Sequence, residues 1–333
     1  MHKESISLLL LSDTHLGFDL PNSKRKSSVN KRGQDFISNF DFIIDKAIDL
    51  SVNYVVHCGD VFETQNVPPF LVDHAYQQFL RLANADIDVM IVPGNHERSV
   101  LPPSLFLNHP RVHVFDRSKT FSFPGISFSG FPYFKGNIRG EFNKIRLNLE
   151  SNLNKSDFNI LCVHHAIDGV KAGFQFFEFR NRPDTINIDH LPGDFDLILS
   201  GHIHKHQEME LKSKEGQSTK IIYSGSTEKT MLDEIDEIKG YHIFKISNTQ
   251  YSHQFHPLNS RSMHVVDLRN TTLTTAELKR MLMNKIESIE HDSILFIKAS
   301  QRETLYELSR LKTQRFFPSE MIINISGFSK LQT

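Results

Sequence analysis

Short apolar runs alternate with amphipathic segments along most of the chain, and several of the runs stop abruptly at polar residues. The runs have the length of buried strands, and the segments between the first three have apolar residues at helical spacing. This β-α-β-α-β order predicts a sheet whose loops gather at the carboxyl ends of its strands, where sites in open α/β sheets lie. Five runs end in aspartate, histidine or asparagine: residues 6–15, 54–60, 91–97, 160–165 and 197–204.

Helices and further strands are predicted around these runs. One amphipathic helix covers 36–48, and Pro68 and Pro69 open a second, at a position where a missing N–H group is tolerated. Near alternation of apolar and polar residues over 121–133 predicts strands of a second sheet, and 142–153 is predicted to be helical.

The region 165–194 has no periodicity and is interpreted as a loop near the strand ends. Its phenylalanines favour a local mini-core, although stacking on single-stranded bases would use the same residues. Short strands follow at 221–223, 241–246 and 251–256.

The remainder has a β-α-β-α-β pattern of its own, with a capping box predicted at Thr274 and Glu277. The sequence thus predicts an α/β protein with a large domain, 1–258, and a small domain, 259–333.

Composition is that of a soluble globular protein, with 39% hydrophobic residues and a formal net charge of -1 among 333 residues. Self-sufficient nucleic-acid-binding domains are often strongly basic, so any contact with a polyanion must be local. The only cysteines, Cys58 and Cys162, lie inside apolar runs and are expected to be reduced, buried thiols without a catalytic role in a cytoplasmic protein. No apolar segment approaches the length of a membrane span, so no membrane association is expected.

The polar strand ends carry the residue types of a metal site. In Asp13-Thr14-His15 and His202-Ile203-His204, the i, i+2 spacing places both side chains on one face of an extended backbone. Carboxylate, imidazole and amide ligands together suit manganese, iron or zinc better than calcium. The seven candidate ligands are Asp13, His15, Asp60, Asn95, His164, His202 and His204.

Seven ligands exceed the need of one cation and suit two ions about 3.5–4 Å apart, with Asp60 bridging them. Such a pair lowers the pKa of a bridging water, clamps phosphoryl oxygens and neutralises charge in an in-line displacement. His96, adjacent to a ligand but not needed as one, is the candidate general acid for the leaving oxygen. Taken singly, these motifs are also explained as turns or buried histidines, and only the ordered set is specific.

A polar segment after the first strand is rich in basic residues. Two interpretations stay open: a solvated loop, or a loop that grips backbone phosphates through sequence-independent contacts. The residues concerned are Lys24, Arg25, Lys26, Lys31 and Arg32.

The ordered motifs D-x-H, G-D, G-N-H-E, H and G-H-I-H resemble those of the calcineurin-like metallophosphoesterase superfamily, whose fold is a two-sheet sandwich flanked by helices. Within it, the chain is similar to the SbcD-type DNA repair nucleases, and its C-terminal part resembles their DNA-capping domain. The stretches that carry this similarity are Asp13–Gly17, Gly59–Phe62, Gly201–Lys205, Ser224–Glu228 and Lys239–Tyr241. The resemblance implies a manganese-dependent phosphodiesterase that acts on DNA, with His96 as its acid.

Two positions depart from that family. Glu97 stands where aspartate is common, and Glu63 stands where a histidine commonly follows the G-D motif. The G-N-H-E form also occurs in protein phosphatases, but these usually carry an arginine shortly after G-D, and none occurs at Phe62, Glu63 or Thr64. A diester substrate is therefore favoured over a monoester.

The resemblance also bears on partners. Nucleases of this kind normally continue into a helical segment that docks on an SbcC-type coiled-coil ATPase, whereas this sequence stops at Thr333. Such an ATPase and a homodimer stay open as partners beside DNA.

The leading hypothesis is a cytoplasmic two-metal exonuclease or endonuclease that uses Mn²⁺, with Fe²⁺ or Zn²⁺ as alternatives. A small-nucleotide phosphodiesterase or a phosphomonoesterase of the same superfamily is the second. A DNA-end-binding subunit with a vestigial centre is the third.

Overall fold

The described residues fold into two six-stranded sheets, a three-stranded sheet and two two-stranded pairs, with helices on the outer faces of the larger sheets. The computed structural model describes residues 5–18, 31–98, 100–102, 109–153, 157–173, 177–191, 194–212, 218–247, 250–269, 271 and 273–326. The strands are β1 (Ile6–Leu11), β2 (Tyr54–His57), β3 (Asp88–Ile91), β4 (Val112–Val114), β5 (Lys119–Phe123), β6 (Ile126–Gly130), β7 (Phe158–Val163), β8 (Ala166–Ile167), β9 (Lys171–Ala172), β10 (Phe177–Glu178), β11 (Thr185–Ile186), β12 (Leu197–Ser200), β13 (Gln207–Lys212), β14 (Ser218–Tyr223), β15 (Gly240–Ser247), β16 (Gln250–Pro257), β17 (Met263–Asp267), β18 (Ile294–Lys298) and β19 (Ile322–Ser326). In the described part of the chain the α-helices are α1 (Lys31–Asp49), α2 (Pro69–Asn84), α3 (Ile138–Glu150), α4 (Thr275–Glu287) and α5 (Arg302–Thr313), and short 3-10 helices cover Ile188–His190 and Leu232–Glu234.

The first sheet has the order β16-β15-β1-β2-β3-β4. Strands β1 to β4 are parallel, whereas β15 runs antiparallel to β1. Helices α1 and α2 cover its outer face, where Phe40 and Phe79 meet edge to face at 5.7 Å within a continuous apolar cluster. The predicted β-α-β-α-β order is confirmed, and it brings the carboxyl ends of β1, β2 and β3 to one edge.

The second sheet has the order β13-β14-β12-β7-β6-β5, with its four central strands parallel. Its inner face packs on the first sheet through a buried core that includes Leu10, Phe128 and Leu199, as well as the free thiols of Cys58 and Cys162. Helix α3 and residues of 166–172 and 179–191 contribute to the apolar cluster on its outer face. The expected two-sheet sandwich flanked by helices is therefore confirmed.

Several elements differ from the prediction. Helix α3 begins at Ile138 rather than at residue 142, because the Asn137 side chain accepts the Gly140 N–H and caps an earlier start. The region 165–194 contains the short strands β8 to β11 instead of an unbroken loop, and Phe179 packs into the outer cluster there, as a mini-core requires. Phe174 and Phe176 lie outside the described residues.

Strands β17, β18 and β19 form the parallel third sheet, and α4 and α5 pack on it around Leu282, Leu295 and Leu308. The capping box of Thr274 and Glu277 at the start of α4 is confirmed. The domain boundary at residue 258 stays a prediction.

None of the helices in the described part of the chain combines the length and apolarity that a membrane span requires.

Candidate metal centre

The predicted ligands all follow the carboxyl ends of parallel strands, at the edge where the two large sheets face each other. Asp13 and His15 follow β1, and Asp60 follows β2. Asn95 follows β3, His164 follows β7, and His202 and His204 follow β12. The backbone turns sharply at these ends, since Asp13, His15, Asp60 and His202 have φ angles of 53°, 44°, 52° and 76°. Such left-handed backbone is uncommon for residues other than glycine, and it occurs preferentially at functional sites.

One group of ligand atoms forms around Asp13. The Nε2 atoms of His15 and His204 lie 3.0 Å apart, and Asp13 Oδ1 lies 3.9 Å from the first and 3.8 Å from the second. The three ligand atoms lie within 4.8 Å of one another, close enough to share one ion. The His202 backbone N–H also donates to the Asp13 carboxylate, at 3.1 Å from Oδ2, and so ties the first sheet to the second.

A second group forms around Asn95. Its Oδ1 atom lies 3.0 Å from His164 Nε2 and 2.8 Å from His202 Nδ1. Asp60 Oδ2 lies 3.2 Å from the same His164 nitrogen. Asp60 also belongs to two further groups of possible ligands, one with Asp13 and His164 and the other with His15 and His96. Its carboxylate therefore lies between the two halves of the centre. A carboxylate that bridges two metal ions would have to lie at such a position.

The donor set fits a pair of divalent ions. Carboxylates, imidazoles and one amide oxygen converge, which matches manganese, iron or zinc chemistry. Close backbone approach also keeps the pocket small, because a Cβ added at Gly94 would lie 2.1 Å from Asp60 Oδ1. A Cβ at Gly59 would lie 2.2 Å from His164 Nδ1, and φ at Gly59 is +97°. Only glycine is tolerated at these two positions without moving a ligand.

Three of the candidate ligand histidines have a polar group close to their second nitrogen. His164 Nδ1–H donates to the Cys58 carbonyl at 2.6 Å, and His204 Nδ1–H donates to the Glu234 carboxylate at 2.8 Å. The Glu63 carboxylate lies 2.8 Å from His15 Nδ1. Such partners fix the ring orientation and raise the basicity of the coordinating nitrogen.

Sequence reasoning missed the role of Glu234, which lies thirty positions after His204 and carries no local motif. Glu63 was visible in the sequence only as a departure from the family pattern.

The charges of the centre depend on one another. Burial alone would raise the pKa of Asp60, but the His164 imidazole, aided by His15 and His96, outweighs burial and holds that pKa below the ordinary range. Burial lowers the pKa of His164, but Asp60 reverses this effect and raises it to about 9. Burial, followed by the neighbouring His164, lowers the pKa of His202 to about 4. The Asp60 carboxylate is therefore ionised, which is the form that binds metal.

His96 lies at the rim of the centre, with its side chain about one-third exposed (34%). Its Nδ1–H donates to the Glu63 carbonyl at 2.8 Å, which leaves Nε2 facing inward, 3.9 Å from Asp60 Oδ2. The His96 backbone N–H donates to Asp60 Oδ1 at 2.9 Å. This geometry suits a residue that exchanges a proton with substrate.

Glu97, the next residue, has a structural role. Its buried carboxylate accepts the Phe62 N–H at 2.8 Å and the Gly94 N–H at 2.7 Å, and so joins the turns after β2 and β3. Burial, with a contribution from Asp60, raises its pKa to about 8 against the opposing effect of these two N–H groups.

The basic residues proposed to grip phosphate have different surroundings. Lys24, Arg25 and Lys26 lie outside the described residues. Lys31 Nζ pairs with Glu320 Oε2 at 2.8 Å. Arg32 requires a correction, because its side chain is fully buried and donates to Asp35, Glu228 and the Lys229 carbonyl. A guanidinium enclosed by these acceptors is not presented to a backbone phosphate.

Comparisons with known proteins place this geometry in context. The family model described as calcineurin-like phosphoesterase matches residues 6–206, which include every ligand named above. The DNA double-strand break repair protein Mre11 of Thermoplasma acidophilum is 29% identical over 254 residues, covering 71% of this chain and 61% of the relative. The protein of the same name from Saccharolobus solfataricus is 24% identical over 296 residues, covering 86% and 71%.

The chain thus spans less than two thirds of the Thermoplasma relative. A crystal structure of a dimetal phosphatase from Danio rerio aligns with a TM-score of 0.49 and 11% identity, covering 75% of this chain and 95% of that one.

Proposed function

On the premise that the chain belongs to the calcineurin-like phosphoesterase family, we propose that it is a two-metal phosphodiesterase that hydrolyses DNA. The observation that carries the proposal is the convergence of ligand groups from both sheets on the Asp60 carboxylate. The residues concerned include two carboxylates, four imidazoles and one amide, all at the predicted strand ends.

The ligands divide between two ions. Asp13, His15 and His204 would hold one ion, and Asn95, His164 and His202 the other, with Asp60 shared. We propose Mn²⁺ as the metal, although the same donors also suit Fe²⁺ and Zn²⁺. Bound there, the pair would supply Lewis acidity and a water of lowered pKa for in-line displacement at phosphorus.

His96 acts as the general acid in this proposal. The Glu63 carbonyl fixes its Nδ1–H, so Nε2 is the nitrogen free to deliver a proton to the leaving oxygen. The Glu63 carboxylate also lies 3.6 Å from His96 Nδ1.

DNA is proposed as the substrate for two reasons. Two similar proteins are named DNA double-strand break repair protein, and the G-D motif here is not followed by the arginine of a monoester clamp. The third sheet with α4 and α5 would position DNA, as the resemblance to a capping domain implies. A cytoplasmic location, an SbcC-type coiled-coil ATPase and a second copy of the chain belong to the same proposal.

The test compares wild-type protein with His204→Ala on linear DNA, bis(p-nitrophenyl) phosphate and p-nitrophenyl phosphate in Mn²⁺. Hydrolysis of DNA and of the diester should disappear in the variant. His291→Ala, which removes an exposed histidine of the C-terminal region, is the control and should keep it. Cleavage of the monoester alone would identify a phosphomonoesterase. If none of the three substrates is hydrolysed but DNA ends are still bound, the protein is a binding subunit.

A further inference from the structure

A polar groove of about 460 Å³ opens beside the metal centre. One wall is the segment Glu63–Asn66 after β2, and the other is formed by Asn95, His96 and Arg98 after β3. Because Asn95 is a predicted metal ligand and His96 the proposed acid, the groove starts at the position of the reacting phosphate. A group covalently attached to that phosphate would enter it.

Arg98 supplies the groove with a positive charge that no described carboxylate meets at ion-pair distance. The carboxylate across the groove, Glu63, is engaged elsewhere, at 2.8 Å from His15 Nδ1 and 3.6 Å from His96 Nδ1. The remaining lining residues of the Glu63–Asn66 wall are neutral. An exposed arginine in this setting is available to an anion from solvent.

The turn that presents Arg98 is tightly held. Glu97 anchors it through the Phe62 and Gly94 N–H groups, and the Arg98 N–H donates to the Asn95 carbonyl at 3.0 Å. Arg98 itself has φ of 53°, in the left-handed region that residues with a side chain seldom adopt. Backbone of this kind occurs preferentially at ligand-binding positions.

We propose that this groove binds the nucleotide next to the phosphate held at the metal centre, and that Arg98 binds the second phosphate of that nucleotide. The inference rests on the proposed function and extends it to a substrate with at least two phosphates in sequence along a strand. An arginine fork matches two phosphate oxygens at once, and Thr64, Gln65 and Asn66 offer donors and acceptors to sugar and base.

The size of the groove supports one nucleotide. Its volume falls within the range of small-molecule sites, roughly 300–1,000 Å³. A groove of this size is too small for a DNA duplex. A frayed or single-stranded end is therefore the form of DNA that would enter. A small nucleotide with a single phosphate would leave Arg98 without a partner.

The experiment measures binding of thymidine 3′,5′-bisphosphate, thymidine 3′-monophosphate and thymidine 5′-monophosphate by calorimetry in Mn²⁺. The bisphosphate should bind the wild-type protein about 10- to 100-fold more tightly than either monophosphate, as expected for one charge-assisted contact. Arg98→Gln should remove most of that preference, and Arg98→Lys should restore part of it. The matched control is Arg315→Gln, because Arg315 is also exposed with φ of 54° but lies after α5. The control should keep the preference.

Equal affinities for the three nucleotides in the wild-type protein would overturn the inference. An equal loss for all three in Arg98→Gln would also overturn it, since Arg98 would then contact the phosphate at the metals. Hydrolysis of bis(p-nitrophenyl) phosphate, followed in parallel, reports on the proposed function separately. If the diester is hydrolysed but the bisphosphate is not preferred, the role of the groove is rejected and the phosphodiesterase activity stands. If the bisphosphate is preferred but the diester is not hydrolysed, the phosphodiesterase activity is rejected.

Discussion

His96 and Glu97 are neighbours in the sequence with opposite surroundings. His96 stands at the rim with its ring one-third exposed, whereas the Glu97 carboxylate is enclosed and accepts two backbone N–H groups. A change at the first residue should therefore affect the reaction, and a change at the second should affect the fold.

Replacing His96 by glutamine should leave both metal sites filled, because its backbone N–H, rather than its ring, holds Asp60. The rate should fall about 10²–10⁴-fold if the ring is the acid. Bound manganese, measured by elemental analysis, and kcat on bis(p-nitrophenyl) phosphate check this together. Loss of manganese from the variant would contradict the role of proton donor.

Replacing Glu97 by glutamine should lower the free energy of unfolding by about 1–3 kcal/mol. The amide can accept only one of the two N–H groups through its oxygen, and a buried donor then loses its partner. Urea unfolding of Glu97→Gln checks this against Glu141→Gln, which breaks a surface pair with Lys144 and should change stability by at most about 1 kcal/mol. Equal stability of the two variants would refute the anchoring role.

The positions of the candidate metal ligands at strand ends could be predicted from the sequence, because strand periodicity and strand-end position are local properties. Glu63 and Glu234 could not be assigned their contacts in this way, since each meets a histidine of the centre only in the folded chain. The place of Arg98 beside the groove also follows only from the fold. Arg32 illustrates the opposite error. A basic residue in a polar segment suggested an exposed cation, but burial against Glu228 decided its environment.

At the scale of elements, β15 carries a histidine in the core of the sandwich. His242 is fully buried and stacks on His206 with ring centroids 4.8 Å apart. Among the described residues, neither of its ring nitrogens has a hydrogen-bond partner. Burial, followed by the nearby His206, His253 and His256, lowers its pKa to about 3.

This lowered pKa predicts acid sensitivity. The unfolded chain protonates His242 near the ordinary pKa of about 6.5, whereas the folded chain resists protonation until about pH 3. Its contribution to stability is present above pH 6.5 and should fall by about 1.4 kcal/mol per pH unit below that value. Urea unfolding between pH 4 and pH 7 should show a shallower pH dependence for His242→Phe. Parallel curves for the variant and the wild type would contradict the prediction.

Central strands were predictable and edge strands less so. The parallel strands β1, β2, β7 and β12 are continuous apolar runs, as strands buried on both faces must be. Strand β13, with the sequence QEMELK, pairs with β14 at the edge of the second sheet and was missed because it has few apolar residues. Its backbone pairing with β14, rather than the β-propensity of its residues, makes it a strand.

At the scale of the whole molecule, an ion pair and a backbone hydrogen bond join the segment before the third sheet to helix α1 and to Glu228. Arg261 Nη2 and Nε lie 2.6 and 2.7 Å from the Asp35 carboxylate of α1, and the Arg261 N–H donates to Glu228 at 3.3 Å. Asp35 also accepts from the buried Arg32. The links place the segment after β16 against the start of α1.

Arg261→Gln should weaken this junction while leaving the metal ligands untouched. Proteolysis by subtilisin at residues 257–262 should become faster, and cleavage of linear DNA should fall more than hydrolysis of bis(p-nitrophenyl) phosphate if the C-terminal region positions DNA. Arg269→Gln breaks an exposed pair with Asp267 within that region and serves as the control. Equal losses on both substrates would refute a role confined to DNA positioning.

The two-sheet architecture could be expected from the ordered motifs, but its strand order could not be derived from local patterns. Strand β15 pairs with β1, and β14 pairs with β12, although intervening strands separate each pair in the sequence. These pairings join strands that are not neighbours in the sequence, so no local pattern of residues specifies them.

Cys58 follows β2 in one sheet, and Cys162 lies in β7 of the other, each two positions before a residue of the centre. Both thiols are enclosed between the sheets, so a thiol reagent reaches them only during moments when the sandwich parts. The rate at which the two thiols are labelled therefore reports how often the sandwich opens. An ion held by both Asp60 and His164 would link the two sheets and slow this labelling.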